Sequence, residues 1–208
     1  MTRTAQSLMN ECKDILYFIK GELAELGKGP SHSKINNMRN IVVYGRQVSF
    51  ILQKLRSVLP EGQFDKWYEP YKEEMKNDEL MKFFVDLRNS IEKEGNTKTI
   101  NVGHIRRLDT SMLPKLMGNQ HPYATSFFMG DTKGRSGWEI KLPDGTEDKI
   151  FVEIPEEVLT VKFFFQNPPK SHLDIKVETS DPFFLCQCYY EYIKKMVNDA
   201  NTKLINKI

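Results

Sequence analysis

The hydrophobic period of this chain changes twice, and that double change restricts its possible folds more than any single motif. Between Thr4 and Gly95 apolar residues recur at steps of three and four. Between residues 125 and 166 they alternate, and from Pro182 onward the longer step returns. A period near 3.6 turns one helix face to a core, and a period of 2 does the same for one strand face. The chain is therefore expected to be α+β and mainly α, with a small β region before a last helix.

The first helix is expected from about Thr4 to Leu26, on a stripe of Leu8, Cys12, Ile15, Ile19, Leu23 and Leu26. "GKGPSHS" at 27–33 stops it with Gly and Pro. The segment is not a phosphate loop, which needs a longer glycine pattern ending in Lys-Ser or Lys-Thr. The second helix is expected over Lys34 to Leu59, ended by Pro60 and Gly62. The third starts near Phe64, passes Pro70, and is recapped at Asp78. It then continues on Leu80, Phe84, Leu87 and Ile91 to a stop at Gly95. Residues 98–123 leave room for a short helix limited by Pro114 and Gly118.

Trp138, Ile140 and Leu142 alternate on one side of Pro143-Asp144-Gly145, and Ile150, Val152 and Ile154 on the other. That pattern predicts a β-hairpin. Segments 125–130 and 160–166 are expected to add strands. Asp181-Pro182 reads as a cap followed by proline at the first helical position, opening a helix to Ile205. Phe184, Cys188, Ile193 and Val197 are the residues expected to face inward. Two or three strands need something to pack on. The whole chain, 1–208, is thus read as one domain. It comprises a helical bundle of about four long helices (4–95 and 182–205), a connecting segment (96–124) and a β insertion (125–166).

With 39% hydrophobic and 28% charged residues, a packed core is expected rather than disorder. The net charge of +2 argues against a general polyanion-binding surface and leaves room for a local basic patch. Three cysteines make no disulfide framework, which fits a reducing compartment. No run approaches the roughly 20 apolar residues of a membrane helix. A cytoplasmic protein without membrane contact is expected. His32, His104, His121 and His172 are scattered without metal-site spacing, so neither metal nor cofactor is expected.

One stretch suggests chemistry. In "FFVDLRNSIEKEG" (83–95), Arg88 leaves from the flank of an apolar stripe, where it must find partners or water. Glu92 stands four residues on and can pair with it for a few tenths of a kcal/mol. Asn89 and Lys93 fall on the adjoining face near the helix end. A guanidinium beside an amide and an ammonium is suited to a phosphate. A second basic cluster, His104, Arg106 and Arg107, is a candidate nucleic-acid contact.

Long helices with "RN" near the end of one of them resemble the HEPN superfamily (higher eukaryote and prokaryote nucleotide-binding). The resemblance covers mainly residues 34–95, with the last helix as the closing element. It implies a helical bundle, usually dimeric, that is either a metal-independent endoribonuclease of a defence or toxin system or an inactive binding module. Arg88 matches the family arginine and Asn89 the polar residue after it. Lys93 stands where the family histidine is expected. An ordinary lysine, of pKa about 10.4, is charged at pH 7 and does not readily take a proton. Activity is therefore left open. RNA or a nucleotide is one expected partner. A partner protein, bound by a non-enzymatic interaction module, is the alternative.

Overall fold

The computed structural model describes residues 3–28, 31–105, 121–131, 135–154 and 159–205. The fold is α+β and mainly α. Helices α1 (Ala5–Lys28), α2 (Ser31–Lys54), α3 (Gln63–Asn77) and α4 (Glu79–Glu94) come first. Strands β1 (Thr99–Ile105), β2 (Ala124–Phe128), β3 (Ser136–Lys141), β4 (Glu147–Val152) and β5 (Leu159–Phe165) follow, then the short pair β6 (Ser171–His172) and β7 (Ile175–Lys176). Helix α5 (Pro182–Ala200) runs into a π-helical turn, Asn201–Ile205. No described helix is long and apolar enough to cross a membrane.

The chain divides into two compact units. Residues 1–29, 33–98 and 165–208 form the helical unit, and residues 30–32 and 99–164 the β unit. In the helical unit the last helix is the common partner. Trp67 of α3 donates to Asp199 (2.8 Å), and Tyr192 donates to Glu74 of α3 (2.7 Å). Tyr189 stacks on Phe84 of α4, with ring centroids 4.2 Å apart and planes 11° from parallel. Helix α1 also packs along α5. Such contacts explain why α5 buries ten residues, among them Leu185, Cys186, Ile193, Met196 and Val197. Phe184, expected to face inward, is instead 46% exposed. "FFLCQCYYEYI" is apolar almost all round, so its spacing could not fix which flank faces the core.

The expected third helix is two helices. Asp78 lies between them in extended conformation (ψ 128°), and its carboxylate accepts from the Met81 N–H at 2.8 Å. That is an N-cap, and it restarts the helix after a break. Helix α4 then ends at Gly95, whose left-handed φ of 67° suits glycine.

In the β unit, β2, β3 and β4 form an antiparallel sheet with β3 in the middle. The expected hairpin is its β3–β4 pair, with Trp138 opposite Ile150. Trp138 and Ile140 are buried, and Phe127 meets Trp138 edge-on at 4.9 Å. β1 pairs with β5. β1 falls where the sequence allowed a short helix. The rest of that candidate, 106–120, lies outside the described residues.

Cys12 and Cys186 are buried and Cys188 half-buried. Burial pushes the Cys12 thiol up to about 12 from an ordinary 9.0, with Glu11 adding to the effect. The raised value sets the sign of a pH effect. Above pH 9 the unfolded chain loses this proton while the folded chain keeps it. Stability held below pH 9 is therefore lost as pH rises toward 12. The expected loss from this thiol is about 1.4 kcal/mol by pH 10, and Cys12→Ala should remove that share of the total, since burial raises Cys186 as well; urea unfolding measured against pH reads it out.

Candidate functional site

Arg88 sits one residue past Leu87, a fully buried anchor of α4, and so emerges at the edge of the packed face. Its Nη1 donates to Glu92 at 2.9 Å, one turn on, and its side chain is only 20% exposed. The Nε is buried and has no hydrogen-bond partner. An unmet donor on a buried cation costs more than the surface pair with Glu92 returns. The ion pair alone does not account for the side chain.

A second arginine repeats the pattern from another helix. Arg46 of α2 lays its guanidinium over the Phe50 ring at 3.9 Å, and its Nη1 reaches Ser49 Oγ at 3.4 Å. Its Nε is likewise buried without a partner.

Tyr189 ties the two together. Its ring lies on Phe84, one turn before Arg88. Its hydroxyl end abuts Gly45, the residue before Arg46, so closely that a Cβ there would stand 2.7 Å from the oxygen. The phenol is pushed up by burial, and the Arg46 guanidinium pulls against that shift. Cys186 adds to the rise, and Arg88 opposes it. Both guanidiniums thus act on one buried phenol from different helices. The described partners include one carboxylate, that of Glu92, for two permanent cations. The surplus charge and the unmet N–H groups fit an anion.

Asn89 is half-buried and Lys93 exposed. They stand four residues apart and share a strip of α4 one position round from the Arg88–Glu92 strip. The basic cluster is only partly visible. Arg106 and Arg107 lie outside the described residues, and of His104 only its place in β1 is described. Arg46 and Tyr189 escaped the sequence reading. The signal for them was weak: a glycine in a helix interior costs about 1 kcal/mol, which fits the close approach at Gly45, but Gly21 of α1 carries the same mark with nothing beside it.

Residues 30–115 are similar to the family described as bacteriophage lambda protein ea47. The match covers less than half of the chain and spans α2, α3 and α4, the helices that supply Arg46 and Arg88. No curated protein and no solved structure matches.

The described histidines lie elsewhere. His172 Nδ1 is 3.1 Å from both oxygens of Asp78, at the opposite end of α4 from Arg88. Ten residues of helix separate Asp78 from Arg88, or about 15 Å. His121 accepts the Tyr123 N–H through Nδ1 at 3.3 Å, in the β unit. Among the described residues no group of three His, Cys, Asp or Glu is placed to hold a metal ion.

Proposed function

We propose that this protein binds RNA or a nucleotide through a phosphate held by Arg88 and Arg46, on a helical bundle of HEPN type. The observation that carries the reading is the pair of buried, unpartnered Nε donors on two helices beside Tyr189. A guanidinium fork presents N–H groups in the geometry that a phosphate oxygen accepts. Asn89 and Lys93, on the neighbouring strip, extend the contact along the strand. A setting of phage and bacterial conflict is part of this proposal; the likeness to a bacteriophage family is compatible with it and carries no function of its own. In this reading two copies pair so that their Arg88 sites meet in one cleft, in the cytoplasm. Cleavage would need a base, and among the described residues the site offers no imidazole, so binding is the function proposed.

The alternative is a protein-interaction module. Tyr17 and Phe18 on α1, 75% and 56% exposed, favour it, with Phe18 against Tyr44 of α2. Such aromatic surface is typical of contact faces.

Fluorescence anisotropy with labelled RNA at matched salt separates the two. Arg88→Ala and Arg46→Ala should each weaken binding by about 10- to 150-fold, the range for one charge-assisted contact. The salt dependence should become shallower by about one unit of slope for each change. Unfolding midpoints should stay close to the parent's. A parent that binds no RNA, or variants that bind as the parent does, would leave the interaction module as the better account.

A further inference from the structure

A separate cleft of about 660 Å³ runs between α3 and the C-terminal end of α5. Its α3 wall carries Gln63, Trp67 and Tyr71, and its other wall Lys195, Asp199 and Lys203. Asp199 is fully engaged. It accepts from Trp67 Nε1 at 2.8 Å and pairs with Lys203 at 2.9 Å. Tyr71 is its third donor. Burial pushes this carboxyl up, and the three donors hold it below its ordinary value all the same. Asp199 therefore ties the two walls of the cleft together.

Two features of the cleft are not used by the fold, and a third distorts its wall. The Gln63 Oε1 is buried and has no donor. Lys66 and Lys195 line the same cleft, are exposed, and form no ion pair among the described residues. The helix turns π-helical at Asn201–Ile205, where Lys203 and Leu204 join the wall. Such distortions cost hydrogen-bond geometry and recur at functional sites.

From this combination we infer that the cleft is a second ligand site, for a nucleoside monophosphate. The unmet acceptor of Gln63 calls for an N–H donor on the ligand, as on the edge of a base. Tyr71, half-buried at 5.2 Å from Trp67, offers an aromatic wall beside it. The two unpaired ammoniums call for an anionic group at the mouth. With Lys203 they set three positive charges against those of Asp199 and Glu74, so the lining carries a net +1. A nucleoside monophosphate supplies base edge, ring and anion together. The inference does not rest on the Arg46–Arg88 reading, because no residue is shared.

Trp67 is the reporter. The chain has two tryptophans, so in Trp138→Phe the fluorescence comes from Trp67 alone. Titrating that variant with adenosine monophosphate should give a saturable change. Adenosine and ribose 5-phosphate, each lacking one half of the ligand, should bind more weakly. Gln63→Leu, and Lys66→Ala with Lys195→Ala, should each weaken binding by about tenfold or more. Arg88→Ala should leave the titration unchanged, which separates this cleft from the Arg88 site. A short 5′-phosphorylated oligonucleotide that binds as tightly as the free nucleotide would assign the site to a strand end. One that fails to compete would assign it to free nucleotide. No fluorescence change up to millimolar nucleotide, or binding that is lost in Arg88→Ala and kept in Gln63→Leu, would overturn the inference.

Discussion

Asp78→Ala is expected to lower the stability of the helical unit by about 3 kcal/mol, far more than a surface carboxylate would. Asp78 is 8% exposed, and its two oxygens serve three donors. One is the Met81 N–H at 2.8 Å, the cap of α4. Another is the Leu173 N–H at 2.7 Å, in the turn between β6 and β7. The last is His172 Nδ1 at 3.1 Å. Losing a cap costs about 1 kcal/mol, and a hydrogen bond to a buried charge about 1.5–3. The losses share one side chain, so they do not simply add. Asp78→Asn keeps an oxygen for one or two of the donors and should cost about half as much. Glu79→Ala is the control. Its side chain accepts the Lys170 N–H at 2.8 Å, but the contact is exposed, and the cost should stay below about 1 kcal/mol. Urea unfolding of the three variants gives the ranking, and hydrogen exchange at Leu173 tests the mechanism. If Asp78→Ala cost no more than Glu79→Ala, the β6–β7 turn would owe nothing to Asp78.

Half of this arrangement could be read in the sequence. A polar residue before Leu80 and Met81 announces a cap, because capping is local and the donor lies three residues on. The other half could not, since His172 stands 94 residues away. The same division runs through the candidate site. Arg88 draws notice because it breaks an apolar stripe on its own helix. Arg46 breaks nothing locally, and its significance comes from Tyr189, which a different helix delivers. Helices and the β3–β4 hairpin were legible because period and turn chemistry are local. β1 was not, because Ile100 and Val102 alternate but stay 47% and 38% exposed, too brief a pattern to set against a helix. The restart at Asp78 was legible from its cap, but apolar spacing carries straight across it, so the two helices were counted as one element.

Gly45→Ala is expected to cost about 1–2 kcal/mol net and to weaken anion binding, although the change adds one methyl group inside a helix. Alanine is ordinarily the better helix former, by about 1 kcal/mol. Here a Cβ would lie 2.4 Å from Cε1 of Tyr189 and 2.7 Å from its hydroxyl. No real Cβ stands so close, so the tyrosine or the α2 backbone must move. The ring cannot slide freely, because it is stacked on Phe84 and 6% exposed. Overpacking of this kind costs about 1–3 kcal/mol and more than cancels the helix gain. Displacing Tyr189 also separates Arg46 from Arg88, so binding should fall along with stability. Gly21 is the counter-case in α1. Nothing lies within 4 Å of the Cβ it would gain, and Gly21→Ala should stabilise by about 0.5–1 kcal/mol. A double-mutant cycle isolates the contact. In a Tyr189→Ala background the ring is gone, and Gly45→Ala should turn from destabilising to neutral or favourable, a coupling of about 1–3 kcal/mol. Denaturant melts of the four proteins measure that coupling directly. If Gly45→Ala cost the same with and without Tyr189, the ring would not be what excludes a side chain there, and the link between the two arginines would have to run through another group.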